Sequence, residues 1–91
     1  MILIVDDDPS VTASLELLFK QSGYATHVEA TPAAAVDYLG REACDLVLQD
    51  MNFSRRTTGA EGLALLAGIK ARWPQLPVLL MTAGSVRPSP S

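Results

Sequence analysis

The chain is short of several things, and each shortage closes a class of explanation. It has one cysteine, Cys44, in 91 residues. A single thiol forms no internal disulfide, so the fold must hold without cross-links, and a reducing cytoplasm is the expected setting. Basic residues number 7 against 10 acidic ones, for a net charge of −3. Nucleic-acid binding needs a basic face, and this balance argues against it. Aromatics are limited to two Phe, two Tyr and one Trp. No apolar run approaches the roughly 20 residues a membrane helix needs. Met1 leads directly into Ile2, with no basic segment of the kind that opens a secretion signal. No G-x-G-x-x-G or Walker pattern is present, and Gly59 and Gly62 are too sparse to cradle a phosphate. Internal repeats and a second domain are also missing.

What remains is a chain with a 48% apolar fraction, a mean hydropathy of +0.22 and an isoelectric point near 4.8. That composition suits one small folded domain with a core of Leu, Val, Ile and Ala. Its most pointed feature is a run of acids behind a short apolar segment. Ile2-Leu3-Ile4-Val5 is followed at once by Asp6, Asp7, Asp8 and Pro9. Leu46-Val47-Leu48-Gln49 leads in the same way into Asp50. In an open parallel sheet, ligands gather outside the carboxyl ends of the strands. Two strands that each carry carboxylates to that edge concentrate negative charge in a small volume. A hard divalent cation relieves it, so Asp6, Asp7 and Asp50 are candidate metal ligands.

The periodicity alternates along the chain. Residues 2–6 read as a buried strand. Asp8 suits an N-cap and Pro9 the first helical position. Val11, Leu15, Leu18 and Phe19 recur at helical spacing through residue 22, and Gly23 is a plausible stop. Residues 24–29 read as a second strand, with His27 in its middle and no chemistry assigned to it. Thr31-Pro32 repeats the cap-then-proline start, for a helix with Ala35, Val36 and Leu39 inward and its end near Gly40. Residues 45–49 form a third strand, with Cys44 as a small residue at its start. A helix from about Gly59 carries Leu63, Leu66, Ile69 and Trp73 and stops at Pro74. Residues 77–82 are a fourth strand. The β-α-β-α-β-α-β alternation predicts a parallel sheet with right-handed crossovers. From Gly84 to Ser91, the Pro/Ser-rich composition predicts a flexible tail.

Three motifs in this order resemble the receiver domain of two-component response regulators: Val5-Asp6-Asp7-Asp8, then Asp50, then Met81-Thr82-Ala83. The first half of the chain is similar to receivers of the nitrogen-regulator (NtrC-like) transcription factors. The resemblance covers residues 1–83. It implies an α/β, flavodoxin-like three-layer sandwich truncated to about four strands and three helices, with strand order 2-1-3-4. It also implies roles for individual residues. Asp50 would accept phosphate from a histidine kinase or a small phosphodonor. Asp7 would ligate Mg²⁺ directly, and Asp6 would hold it through water or position it. The backbone carbonyl of Asn52 would complete the protein ligands, and the Thr82 hydroxyl would bind a phosphoryl oxygen. On this reading the chain is a signalling module rather than an enzyme. A phosphatase of the haloacid-dehalogenase type fits poorly, because Asp6-Asp7-Asp8-Pro9 lacks the Asp-x-Asp-Gly/Thr pattern.

The departures from the family are as specific. A complete receiver has five strands and five helices, with a lysine on the fifth strand that pairs with the phosphate. No residue here fills that place, since Lys20 and Lys70 fall on helices. The connection after Asp50, which carries Arg55 and Arg56, is longer than the family's usual turn. A sheet that stops at strand four would expose an apolar edge at Val78–Met81 and one sheet face beside the first helix. A homo-oligomer built through that strand or that face is therefore expected, and a full-length regulator is a possible partner. The alternative reading is a self-associating interaction module that has lost phosphorylation.

Overall fold

The computed structural model describes residues 1–50, 60–82 and 85–88. The elements are β1 (Ile2–Val5), α1 (Pro9–Gln21), β2 (Thr26–Glu29), α2 (Pro32–Arg41), β3 (Leu46–Asp50), α3 (Ala60–Arg72), β4 (Val78–Thr82) and β5 (Ser85–Pro88). They form one sheet in the order β2-β1-β3-β4-β5. The pairings among the first four strands are parallel. Right-handed crossovers then place α1 on one face of the sheet and α2 and α3 on the other. The parallel order 2-1-3-4 with three helices is the expected architecture.

The fifth strand corrects the expectation of a loose tail from 84 to 91. Residues 85–88 pair antiparallel with β4, from Thr82↔Ser85 to Leu79↔Pro88. Only two residues separate the paired Thr82 and Ser85, the shortest connection that returns a chain on itself. A pair that closes such a connection exchanges hydrogen bonds, and the kind of pair then alternates. Leu79↔Pro88 is thus of the non-bonded kind, and the N–H that proline lacks would have faced away from β4. A proline is tolerated in a strand at such a position. β4 is consequently an interior strand. The sheet edges are β2 and β5, and the proposed open edge at Val78–Met81 is filled by the chain itself.

Local chemistry explains where the helices begin and end. Asp8 and Thr31 are N-caps in extended conformation. Asp8 accepts from the Ser10 N–H at 2.9 Å, and Thr31 Oγ1 accepts from the Ala34 N–H at 3.2 Å. Proline follows each cap at the first helical position, where its missing N–H costs nothing. α1 closes in a Schellman motif. The Tyr24 N–H donates to the Phe19 carbonyl at 2.9 Å and the Gly23 N–H to the Lys20 carbonyl at 3.0 Å. Gly23 takes φ +88°, a left-handed value that side chains disfavour. Tyr24 and Phe19 meet edge to face across this turn, with centroids 6.5 Å apart. α2 ends at Arg41, next to the expected stop near Gly40, and its C-cap Glu42 is in extended conformation.

The core lies between the sheet and the α2/α3 layer. Leu3, Val5, Val47, Val78 and Leu80 point from the strands toward Ala35 and Leu39 of α2 and Leu65, Leu66 and Ile69 of α3. Trp73 packs against its margin. The α1 layer is thinner. Thr12 is the one fully buried side chain of α1, while Val11 is 37% and Leu18 55% exposed. The helical spacing of Val11 and Leu18 is real, but α1 meets the sheet through its Thr12 side, and among the described residues no second helix lies beside it. Leu63, in the same periodic series as Leu66 and Ile69, stands 53% exposed, because α3 turns Leu65 and Leu66 to the core instead.

Candidate functional site

β1 and β3 run side by side in parallel, with Val5 opposite Gln49. The next residue on each strand is an aspartate, so Asp6 and Asp50 leave the carboxyl edge of the sheet as neighbours. Asp7 follows on the connection to α1. One carboxylate oxygen from each of Asp6, Asp7 and Asp50 lies within 4.8 Å of the other two. Asp6 is buried, Asp50 half-buried and Asp7 exposed. The third acid of the run is put to another use, as Asp8 turns away to cap α1. Its backbone N–H donates to Asp6 Oδ1 at 2.9 Å, which fixes the Asp6 carboxylate at the rim.

Negative charge is concentrated at this rim. Burial pushes the Asp6 carboxyl above the usual carboxylate range. The Asp8 N–H bond opposes the rise, and the charges of Asp50, Asp7 and Asp8 add to it. Three carboxylates on one rim, one of them buried, are the oxygen-rich, hard donor set that Mg²⁺ or Ca²⁺ takes. The residues present therefore fit a divalent cation.

The remaining sequence candidates divide. Met81 pairs with Asp50 across β3 and β4, so Thr82 sits one residue beyond it on the adjacent strand, at the same end of the sheet. The Thr82 side chain and all of Asn52 lie outside the described residues. Cys44 is half-buried, and burial raises its thiol pKa, which makes it less of a thiolate. His27 stacks on Tyr38, with centroids 3.8 Å apart and planes 5° from parallel, and its Nε2 lies 2.6 Å from Glu29 Oε2. It joins β2 to α2 and is not among the three clustered carboxylates.

One residue was missed in the sequence. Gln49, next to Asp50, is fully buried on the core side of β3. Its Nε2 donates to the Gly62 carbonyl in the first turn of α3 at 2.6 Å. Its Oε1 finds no hydrogen-bond partner among the described residues. The signal was available: a polar residue ends the apolar run Leu46-Val47-Leu48, two positions after the inward-facing Val47.

An open, mainly parallel α/β sheet with a carboxylate cluster at its carboxyl edge defines an acidic-pocket protein of the flavodoxin-like class. The comparisons with known proteins narrow this. The model of the response regulator receiver domain matches residues 2–89. The DNA-binding transcriptional regulator NtrC of Escherichia coli (strain K12) is 36% identical over 85 residues, which is 93% of this chain and 17% of that protein. The solved receiver domain of NtrX from Brucella abortus superposes with a TM-score of 0.79 at 30% identity, over 88% of this chain and 65% of that one. The beryllofluoride-activated NtrC4 receiver domain dimer gives a TM-score of 0.77 at 25% identity, over 92% of this chain and 67% of that one. The chain belongs to the response regulator receiver domain family. It spans about a sixth of the length of the curated relative it matches.

Proposed function

We propose that the chain is a phosphoacceptor module of a two-component relay, with Asp50 as the acceptor and Mg²⁺ held by Asp6, Asp7 and Asp50. The observation that supports this reading is the convergence of those three carboxylates within 4.8 Å at one sheet edge. Asp50 is already a nucleophile once ionised and needs no base. One of its oxygens attacks the phosphorus of a phosphohistidine on a kinase, or of a small acyl phosphate. The P–N or P–O bond to the donor breaks, and its electron pair leaves with the donor. Mg²⁺ supplies charge neutralisation for the phosphoryl oxygens. Asp6, Asp7 and Asp50 would hold it, and the family resemblance assigns the Asn52 carbonyl as a further ligand. By the same resemblance, the Thr82 hydroxyl would donate to a phosphoryl oxygen.

The module acts in the cytoplasm through protein contacts, with a histidine kinase as donor and a full-length regulator as a further partner. Self-association belongs to the same proposal. With β5 on the edge of β4, the proposed route is the α1 face carrying Val11 and Leu18.

Incubation with acetyl phosphate and Mg²⁺, read by intact mass, tests the acceptor. The expected result is a gain of one phosphoryl group that is lost in Asp50→Asn and in the presence of a chelator. No gain under saturating donor would leave the interaction-module reading in its place. Light scattering at micromolar concentration tests self-association, and a clean monomer would refute it.

A further inference from the structure

We propose that Gln49 is a positioning residue that ties the acceptor end of β3 to the first turn of α3. The inference rests on the reading of Asp50 as the reacting group. Gln49 sits one residue before Asp50, wholly out of contact with solvent, in a layer otherwise made of Val5, Val47, Leu65 and Leu80. A leucine would fill that layer without leaving a polar atom in it. The chain instead keeps an amide there, and its Nε2 makes a hydrogen bond that a leucine could not. That bond is short, 2.6 Å from Nε2 to the Gly62 carbonyl, and spans 13 residues of sequence.

That bond joins the two ends of the segment between Asp50 and α3. One end is the carboxylate-bearing end of β3, and the other is the first turn of α3. The tie sets the spacing between them with no charge of its own, so it leaves the electrostatics of the acidic rim untouched. A residue that acts on geometry in this way changes how fast a phosphoryl donor is attacked. Its effect on cation affinity is much smaller, because no ligand and no charge is removed.

Gln49→Leu is the test, with Gln49→Met as a second apolar variant should the first fold poorly. Three readouts are compared with the parent chain: amide hydrogen exchange, Mg²⁺ affinity and the rate of phosphoryl gain from acetyl phosphate. The expected result is an exchange rate about tenfold faster at the amides of Leu63–Leu66, with β1 and β3 unchanged. Mg²⁺ affinity stays within about twofold, and phosphoryl gain slows by about tenfold. Unchanged exchange in α3 would overturn the tie itself. Faster exchange with an unaltered phosphorylation rate would overturn the positioning role. If the parent chain takes no phosphoryl group at all, the acceptor reading of Asp50 fails and the positioning role falls with it. The exchange data then still report the tie.

Discussion

At the scale of single residues, Asp6 carries the clearest tension in the molecule. Its folded-state pKa is raised, first by burial and then by neighbouring carboxylates. The sign follows directly. The protonated form fits the fold better, so the contribution of Asp6 to stability is complete below its ordinary value of 3.8. It is lost as pH rises through the raised folded value. At neutral pH, without a divalent cation, the ionised Asp6 is a liability. Asp6→Asn is therefore expected to raise the melting temperature at pH 7 in chelator by about 4 °C, as roughly 1 kcal/mol does in a domain of this size. The same variant is expected to lose most of the stabilisation that millimolar Mg²⁺ gives the parent chain. Differential scanning calorimetry with and without the cation reads both effects. A variant less stable than its parent in chelator would contradict the account.

At the scale of elements, caps and core contacts decide what each segment does. Thr31→Ala removes the acceptor for the Ala34 N–H and is expected to cost about 1 kcal/mol in urea denaturation. Ile69→Ala opens a cavity where α3 meets the sheet, at a residue with no exposure, and is expected to cost about 3 kcal/mol. The elements were largely legible in the sequence. Asp8-Pro9 and Thr31-Pro32 marked helix starts by a mechanism that the structure repeats, and Gly23 marked a stop for the reason its φ of +88° gives. Two kinds of reading failed. Val11, Leu18 and Leu63 had the right period, but period fixes one face of a helix and not what lies opposite it. Ser85–Pro88 looked like a tail because strand formation there depends on β4, a partner that local composition does not reveal. Within the acidic rim, Asp6, Asp7 and Asp50 were legible because strand ends are legible. Gln49 was not, because its role depends on which carbonyl of α3 comes within its reach.

At the scale of the whole molecule, the antiparallel β5 changes how the chain meets its surroundings. Apolar Val78–Met81 has β3 on one side and β5 on the other, so the sheet offers no bare apolar edge there. The outer edge it does offer includes Pro88 and Arg87, a missing donor and a charge, both of which discourage further pairing. A variant ending at Gly84 should uncover β4. It is expected to sediment as dimers or larger species at concentrations where the full chain is smaller, and identical sedimentation of the two would refute this.

The sole tryptophan, Trp73, stands at the opposite pole of the sheet from the carboxylates, beside Pro74 and with the Arg72 guanidinium 4.6 Å from its ring. Its emission is therefore a clean gauge of unfolding and a deaf one for cation loading. Mg²⁺ should leave the spectrum of the native chain almost flat while shifting the denaturation midpoint that the same fluorophore reports.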